Sequence, residues 1–220
     1  MPNVDLDRAR FNMVKQQIQP WEVLDPQVLD TLEGVSREHF VPSKYRNLAF
    51  SAIQIPIGHD QTMMFPVVEG RMLQALAVRP SDMVLEVGTG SGFVTALLAR
   101  LAKHVYSVDL HSDFLESASS RLASQGITNV TLEQGDAASG WDRHAPYDVI
   151  VLTGSVSEIP NAFLNSLRHG GRLFAVVGES PVMEARLVIR TGDNAYAHED
   201  LFETVLPPLV NPSSSQRFLF

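Results

Sequence analysis

Ten residues near the middle of the chain, Val84-Leu85-Glu86-Val87-Gly88-Thr89-Gly90-Ser91-Gly92-Phe93, restrict its fold more than any other stretch. Met83-Val84-Leu85 and Val87 form an apolar run of buried-strand type, interrupted by Glu86. Glycines then alternate at 88, 90 and 92, and Val94-Thr95-Ala96-Leu97-Leu98-Ala99-Arg100-Leu101 repeats its apolar residues at helical spacing. Strand, glycine turn and helix together let a small ligand rest against backbone at a helix start. The dinucleotide fingerprint is G-x-G-x-x-G; here the third glycine arrives one residue early, as G-x-G-x-G. The missing Cβ atoms permit a tight turn and close approach of a ligand. Glu86 needs a polar partner if its strand is buried.

The same alternation continues downstream. His104 to Asp109, Val130 to Leu132, Tyr147 to Leu152 and Arg172 to Val177 read as strands, with helices over Ser112 to Ala123 and Pro160 to Leu167. Leu187 to Arg190 and Phe202 to Leu206 add two more strands, the last one or two antiparallel because no helix-length connection separates them. The pattern predicts an α/β fold, a doubly wound, mostly parallel, seven-stranded sheet. Ahead of it, Asp5 to Gln19 reads as an amphipathic helix with Leu6, Phe11, Val14 and Ile18 on one face, stopped by Pro20. Asp25-Pro26 is an N-cap with a proline at the first helical position, opening a helix through Leu29 and Leu32. Ile53 to Gly70 mixes polar residues and prolines without a period, as functional surface loops do, and helical spacing resumes over Val67 to Val78. Residues 1–80 are thus expected to be a helical extension and substrate-side loop, packed on the same domain as a ligand-binding core at 81–220.

A chain of 220 residues, 45% hydrophobic and 19% charged, suits one folded domain. Its net charge of −8 argues against a nucleic-acid partner. With no cysteine there is no disulfide, no thiolate metal site and no cysteine nucleophile, which fits a cytoplasmic protein. The first 30 residues are too charged for a signal peptide, and no run approaches the roughly 18 apolar residues of a membrane span. Nothing in the sequence sets the oligomeric state. Pro207-Pro208 onward reads as a tail or an edge element, its apolar end Phe218-Leu219-Phe220 in want of a partner surface.

Doubly wound sheets bind ligands at the carboxyl ends of their strands, near the point where strand order reverses. Three successive strand ends carry acids there: Glu86 with its glycines, Asp109 and Asp136. Asp109 lies about 20 residues past the glycine turn, where a carboxylate accepts both hydroxyls of a ribose. Asp136-Ala137 can receive an exocyclic amine and flank a base. Three such positions in register point to an adenosine ligand. The candidate contacts are Glu86, Gly88, Thr89, Gly90, Gly92, Asp109, Leu110, Asp136, Ala137 and Thr153, with Phe65 and Pro66 from the irregular loop. His59 sits in that loop; the other six histidines are scattered without ligand spacing, so no metal site is indicated.

This arrangement resembles the class I S-adenosylmethionine-dependent methyltransferases, whose glycine motif has the G-x-G-x-G form. Met13-Val14-Lys15-Gln16-Gln17, Arg37-Glu38-His39-Phe40-Val41-Pro42, Ile57 to Thr62, Val84 to Gly92, Gly135-Asp136, Gly140-Trp141 and Tyr147 to Val151 are similar to the protein-L-isoaspartate O-methyltransferase family, in that family's order, from roughly Ala9 to Pro212. The resemblance implies a Rossmann-like fold, S-adenosyl-L-methionine as cofactor, an isoaspartyl carboxylate of a peptide or protein as acceptor, and a part in protein repair. The family's G-x-G-Q-T-I-S-x-P motif matches Gly58 to Pro66 with two departures: Met64 stands where the family has its active-site serine, and Asp60 replaces a glycine. A thioether cannot donate the hydrogen bond a hydroxyl offers. An inward-pointing Asp60 would repel an anionic substrate. Met64, Thr62, His59 and Asp60 are the candidate catalytic set, while Met63, Met64 and Phe65 form either an apolar pocket wall or ordinary core. Two alternatives stay open at this level: a methyltransferase redirected to another acceptor, a small molecule included, and a non-catalytic binder of the cofactor. The glycine spacing disfavours a nicotinamide dehydrogenase.

Overall fold

The computed structural model describes residues 6–211. Helix α1 (Leu6–Asn12) passes directly into a π-helical turn, Met13–Ile18, and a 3-10 turn, Gln19–Trp21. The predicted apolar face is split by this change of winding. Val14 and Ile18 are buried with Met13, but Leu6 and Phe11 are exposed. A π turn holds more residues than an α turn, so the apolar stripe swings away from the face that α1 presents. Asp5, where the helix was expected to begin, lies outside the described residues. Helix α2 (Pro26–Gly34) starts as its sequence predicts, with Asp25 Oδ1 accepting from the Gln27 amide at 2.8 Å.

The stretch that looked irregular contains a small hairpin. Strands β1 (Pro56–Gly58) and β2 (Gln61–Thr62) pair antiparallel, with Gly58 opposite Gln61. His59 and Asp60 form the turn at φ 50° and 57°, the left-handed pair that a two-residue hairpin requires. Asp is one of the few side chains tolerated there, which accounts physically for a glycine at position 60 in the family motif. Helix α3 (Pro66–Leu76) follows.

The core alternates as predicted through β3 (Met83–Val87), α4 (Phe93–Leu101), β4 (His104–Asp109), α5 (Ser112–Ser124), β5 (Val130–Gln134), β6 (Tyr147–Val156), α6 (Asn161–Ser166), β7 (Leu167–Glu179) and β8 (Val182–Gly192). The last strand, β9 (Ala195–Glu203), lies earlier than the expected Phe202 to Leu206 because it pairs as a hairpin with β8. The strand order is β5-β4-β3-β6-β7-β8-β9. The first five in that order are mutually parallel, and β8 runs against both β7 and β9. Only β8 is therefore reversed; β9 again points with the parallel strands. The chain winds outward from β3 to β5 and returns on the other side as β6, so the switch point lies between β3 and β6. Side chains alternate between two apolar layers: Val84, Val149 and Phe174 on one face, Leu85, Ile150 and Leu173 on the other. The first layer also buries Met13, Leu32, Met64 and Leu73, which seats the first 80 residues on the sheet.

Beyond β9 the chain turns back as a strap. The Ser155 amide donates to the Pro207 carbonyl and the Leu209 amide to the Ser155 carbonyl, both at 2.9 Å, and Ser155 Oγ donates to the Leu206 carbonyl. The segment expected to be a tail or an edge thus crosses the carboxyl end of β6. Phe218-Leu219-Phe220 lie outside the described residues. No helix among the described residues is long and apolar enough to cross a membrane.

Candidate functional site

A cleft with a cavity volume of about 100 Å³ opens at the switch point. The glycine turn forms its floor. Gly88 has φ 97°, and a Cβ there would stand 2.2 Å from Thr153 Oγ1, so no side chain fits. Thr153 donates to the carbonyls of Val87 and Gly88 at 2.9 and 2.6 Å, pinning the turn to β6. Beneath it lies a buried polar chain. Thr89 Oγ1 and Ser107 Oγ are 2.6 Å apart, and Glu86 Oε2 accepts from Ser107 and Thr95, each at 2.6 Å. Burial pushes the Glu86 carboxyl up to about 8; the two hydroxyl hydrogen bonds oppose that rise and the nearby Asp109 charge adds to it. Glu86 is thus a neutral carboxylic acid at pH 7, a support for the turn from below, and it does not line the cleft.

Asp109 closes β4 at the cleft wall. Its Oδ2 accepts from the Gly90 amide at 2.8 Å and its Oδ1 from the His111 amide at 2.9 Å. Each oxygen retains a further lone pair for a ligand hydroxyl. Asp136 lines the next wall, with Oδ1 accepting from the Ala138 amide at 3.1 Å and Oδ2 from Asn211 Nδ2 at 2.9 Å. Gly135 before it packs on Trp141: a Cβ would meet the ring at 2.4 Å. Trp141 is held in turn by Glu133, which accepts from Nε1 at 2.8 Å. This contact packs the Gly135-Asp136 motif directly against Gly140-Trp141. Two carboxylates and a Cβ-free turn at adjacent strand ends suit the ribose, base amine and backbone-facing tail of an adenosyl ligand.

The opposite wall comes from the hairpin side. Ile57, Gln61, Thr62, Met63 and Met64 line the cleft, and both methionines are also buried in the main core, so they serve as wall and core at once. Arg37, from the Arg37-to-Pro42 motif, sits fully buried beneath them. Its Nη2 donates to the Met64 carbonyl and its Nε to the Ala49 carbonyl, both at 3.0 Å; Nη1 pairs with Glu69, and the guanidinium lies over the Phe93 ring at 4.6 Å. Position 64 is therefore set by a charged clamp. Thr62 Oγ1 is buried at the cleft and has no partner among the described residues.

Of the predicted residues, Met64, Thr62, Gly88, Thr89, Gly90, Asp109, Leu110, Asp136, Ala137 and Thr153 line one cleft. His59, Asp60, Phe65, Pro66, Glu86 and Gly92 do not. Asp60 is exposed at the hairpin tip and does not point inward, so the anticipated repulsion of an anionic substrate is removed. His59 turns aside to Asp113, at 3.0 Å. Phe65 precedes α3 and packs on the core, and Pro66 is buried as the first residue of that helix. Gly92 allows α4 to approach Ala118 of α5, where a Cβ would stand at 2.9 Å. The sequence reading missed His111, Leu209 and Val210 in the lining. His111 was discoverable from its place two residues after Asp109; the strap residues carry no local signal, since only pairing with Ser155 brings them here.

Residues 8–214 match the family model for protein-L-isoaspartate(D-aspartate) O-methyltransferase. A Synechococcus protein-L-isoaspartate O-methyltransferase is 42% identical over 78% of this chain and 70% of its own length. One from Pelobacter propionicus is 39% identical over 90% of this chain and 88% of its own, and one from Protochlamydia amoebophila 37% identical over 93% and 98%. Among solved structures, a protein-L-isoaspartate O-methyltransferase superposes with TM-score 0.78 at 22% identity, over 92% of this chain; the match spans 65% of that longer chain. A Plasmodium falciparum structure of the same description, in complex with S-adenosyl-L-homocysteine, superposes with TM-score 0.74 at 16% identity over 93% and 97%. At these identities the two structures establish the fold.

Proposed function

The chain belongs to the protein-L-isoaspartate(D-aspartate) O-methyltransferase family, and we propose that its cleft methylates the free carboxylate of isoaspartyl residues with Met64 in the position of the family's serine. The observation that carries this is a single cleft lined from both sides: by Gly88, Gly90, Asp109 and Asp136 of the sheet, and by Thr62 and Met64 of the hairpin segment. We read residues 81–220 as the S-adenosyl-L-methionine side and residues 1–80 as the acceptor side of one domain. Asp109 and Asp136 hold the nucleoside, and the Gly88–Gly90 backbone accommodates the amino-acid tail. When bound, the sulfonium supplies an electrophilic methyl group.

The remaining chemistry asks for placement. An isoaspartyl carboxylate is already ionised at neutral pH, so no residue need remove a proton. The chain must bring one carboxylate oxygen in line with the methyl carbon and keep water out. Met63, Met64 and Ile57 supply an apolar wall, and the Thr62 hydroxyl, two residues before Met64, is the unpaired donor that can hold the acceptor carboxylate. Redirection to another acceptor is not favoured by the family relationship. The cysteine-free composition fits a cytoplasmic repair enzyme.

Methyl-labelled S-adenosylmethionine, an isoaspartyl peptide and its aspartyl control test the proposal. Base-labile label should appear on the isoaspartyl peptide alone. Thr62→Val should lower kcat/KM for that peptide about tenfold, the worth of one hydrogen bond to a charged group, and Met64→Ser should raise it. An unlabelled isoaspartyl peptide, with cofactor binding intact, would overturn the reading of the acceptor.

A further inference from the structure

We propose that His59, His111 and Asp113 form a binding site for a divalent ion of the zinc class at the mouth of the cleft. The three come from two separate elements. His59 is the first residue of the hairpin turn, His111 precedes α5, and Asp113 lies in its first turn. One ligand atom from each lies within 4.8 Å of the other two. His59 Nε2 stands 3.0 and 3.1 Å from the two carboxylate oxygens of Asp113. The imidazole rings of His59 and His111 stack at 3.8 Å, 7° from parallel, and Phe114 meets both edge-on at 5.1 and 5.5 Å.

Two imidazoles and a carboxylate are a donor set that zinc accepts, with a fourth position left for water. Donor atoms on a tetrahedral zinc ion lie roughly 3.3 Å apart, given bond lengths of about 2.0–2.2 Å. The side chains need contract only a little to meet that spacing. The stacked rings must also splay to aim at one point, and His59 can do so because it rides on an exposed two-residue turn. A second observation concerns His111 alone. Its Nε2 is shielded from solvent and has no hydrogen-bond partner among the described residues, an uncommon state for a buried polar atom.

The site has a mechanical consequence. His111 donates its amide to Asp109, and the hairpin leads directly into Thr62 and Met64. An ion shared by His59, His111 and Asp113 ties the acceptor wall to the cofactor wall across the cleft mouth, which slows entry and exit of the cofactor. This goes beyond the methyl-transfer reading and does not depend on which acceptor is used.

Calorimetric titration of the full chain with zinc chloride in a chelator-free buffer tests it. One equivalent should bind and raise the thermal midpoint. His59→Gln and His111→Gln should each weaken binding by about tenfold or more, with the fold confirmed by circular dichroism. His198→Gln, on β9 and away from the cleft, should leave zinc binding unchanged. Cobalt in place of zinc should give visible absorption bands that both histidine-cluster variants lose. Absence of zinc binding to the wild type would overturn the proposal, as would equal affinity in wild type and in both His59→Gln and His111→Gln.

Discussion

The Glu86 carboxyl is fully buried and accepts from Ser107 and Thr95 below the glycine turn. Burial pushes it from the ordinary 4.5 to about 8, so the folded chain keeps a proton that the unfolded chain releases. Between those values its contribution makes stability fall as pH rises, by about 1.4 kcal/mol per pH unit at the steepest. Glu86→Gln cannot ionise and should lose that dependence. In urea unfolding at pH 5.5 and pH 8, the variant should gain on the wild type as pH rises; an equal difference at both would contradict a neutral Glu86. The structure also separates Met64 from Asp60, two departures that looked alike in the motif. Met64 lines the cleft, whereas Asp60 only satisfies a left-handed turn at the surface.

Among the elements, the buried Arg37–Glu69 pair joins the 3-10 turn at Arg37–His39 to α3 and holds the Met64 carbonyl from beneath. Arg37→Met would leave Glu69 buried without its counter-charge, a loss of about 3–5 kcal/mol. Arg37→Met/Glu69→Leu should recover much of it in denaturant melts. A cost below about 1 kcal/mol for the single variant would show that the pair does not clamp this segment. Elements built from local pattern were legible in the sequence: β3, the glycine turn and α4 follow from apolar runs and glycine spacing, and Asp25 announces α2. The hairpin was not, because β1 and β2 are three and two residues long and their turn lacks the usual Asn-Gly. Neither was the π turn at Met13–Ile18, whose winding no periodicity assuming 3.6 residues per turn can report.

At the scale of the whole molecule, the sheet brings three strand ends, the hairpin and the C-terminal strap to one opening. Asp109 and Asp136 were legible because the first closes β4 and the second follows two residues after the end of β5. Leu209, Val210 and Asn211 were not, because they reach the cleft only through pairing with Ser155 and the Asn211 contact to Asp136. We propose that this opening is the cofactor site, with Asp109 its principal polar contact. Calorimetric titration of S-adenosyl-L-homocysteine into the wild type and into Asp109→Asn tests it most directly, with circular dichroism as the check on folding. One-site binding to the wild type is expected, with affinity about tenfold or more lower in the variant, the worth of hydrogen bonds to a charged acceptor. No heat of binding to the wild type, or equal affinity in a folded Asp109→Asn, would contradict it.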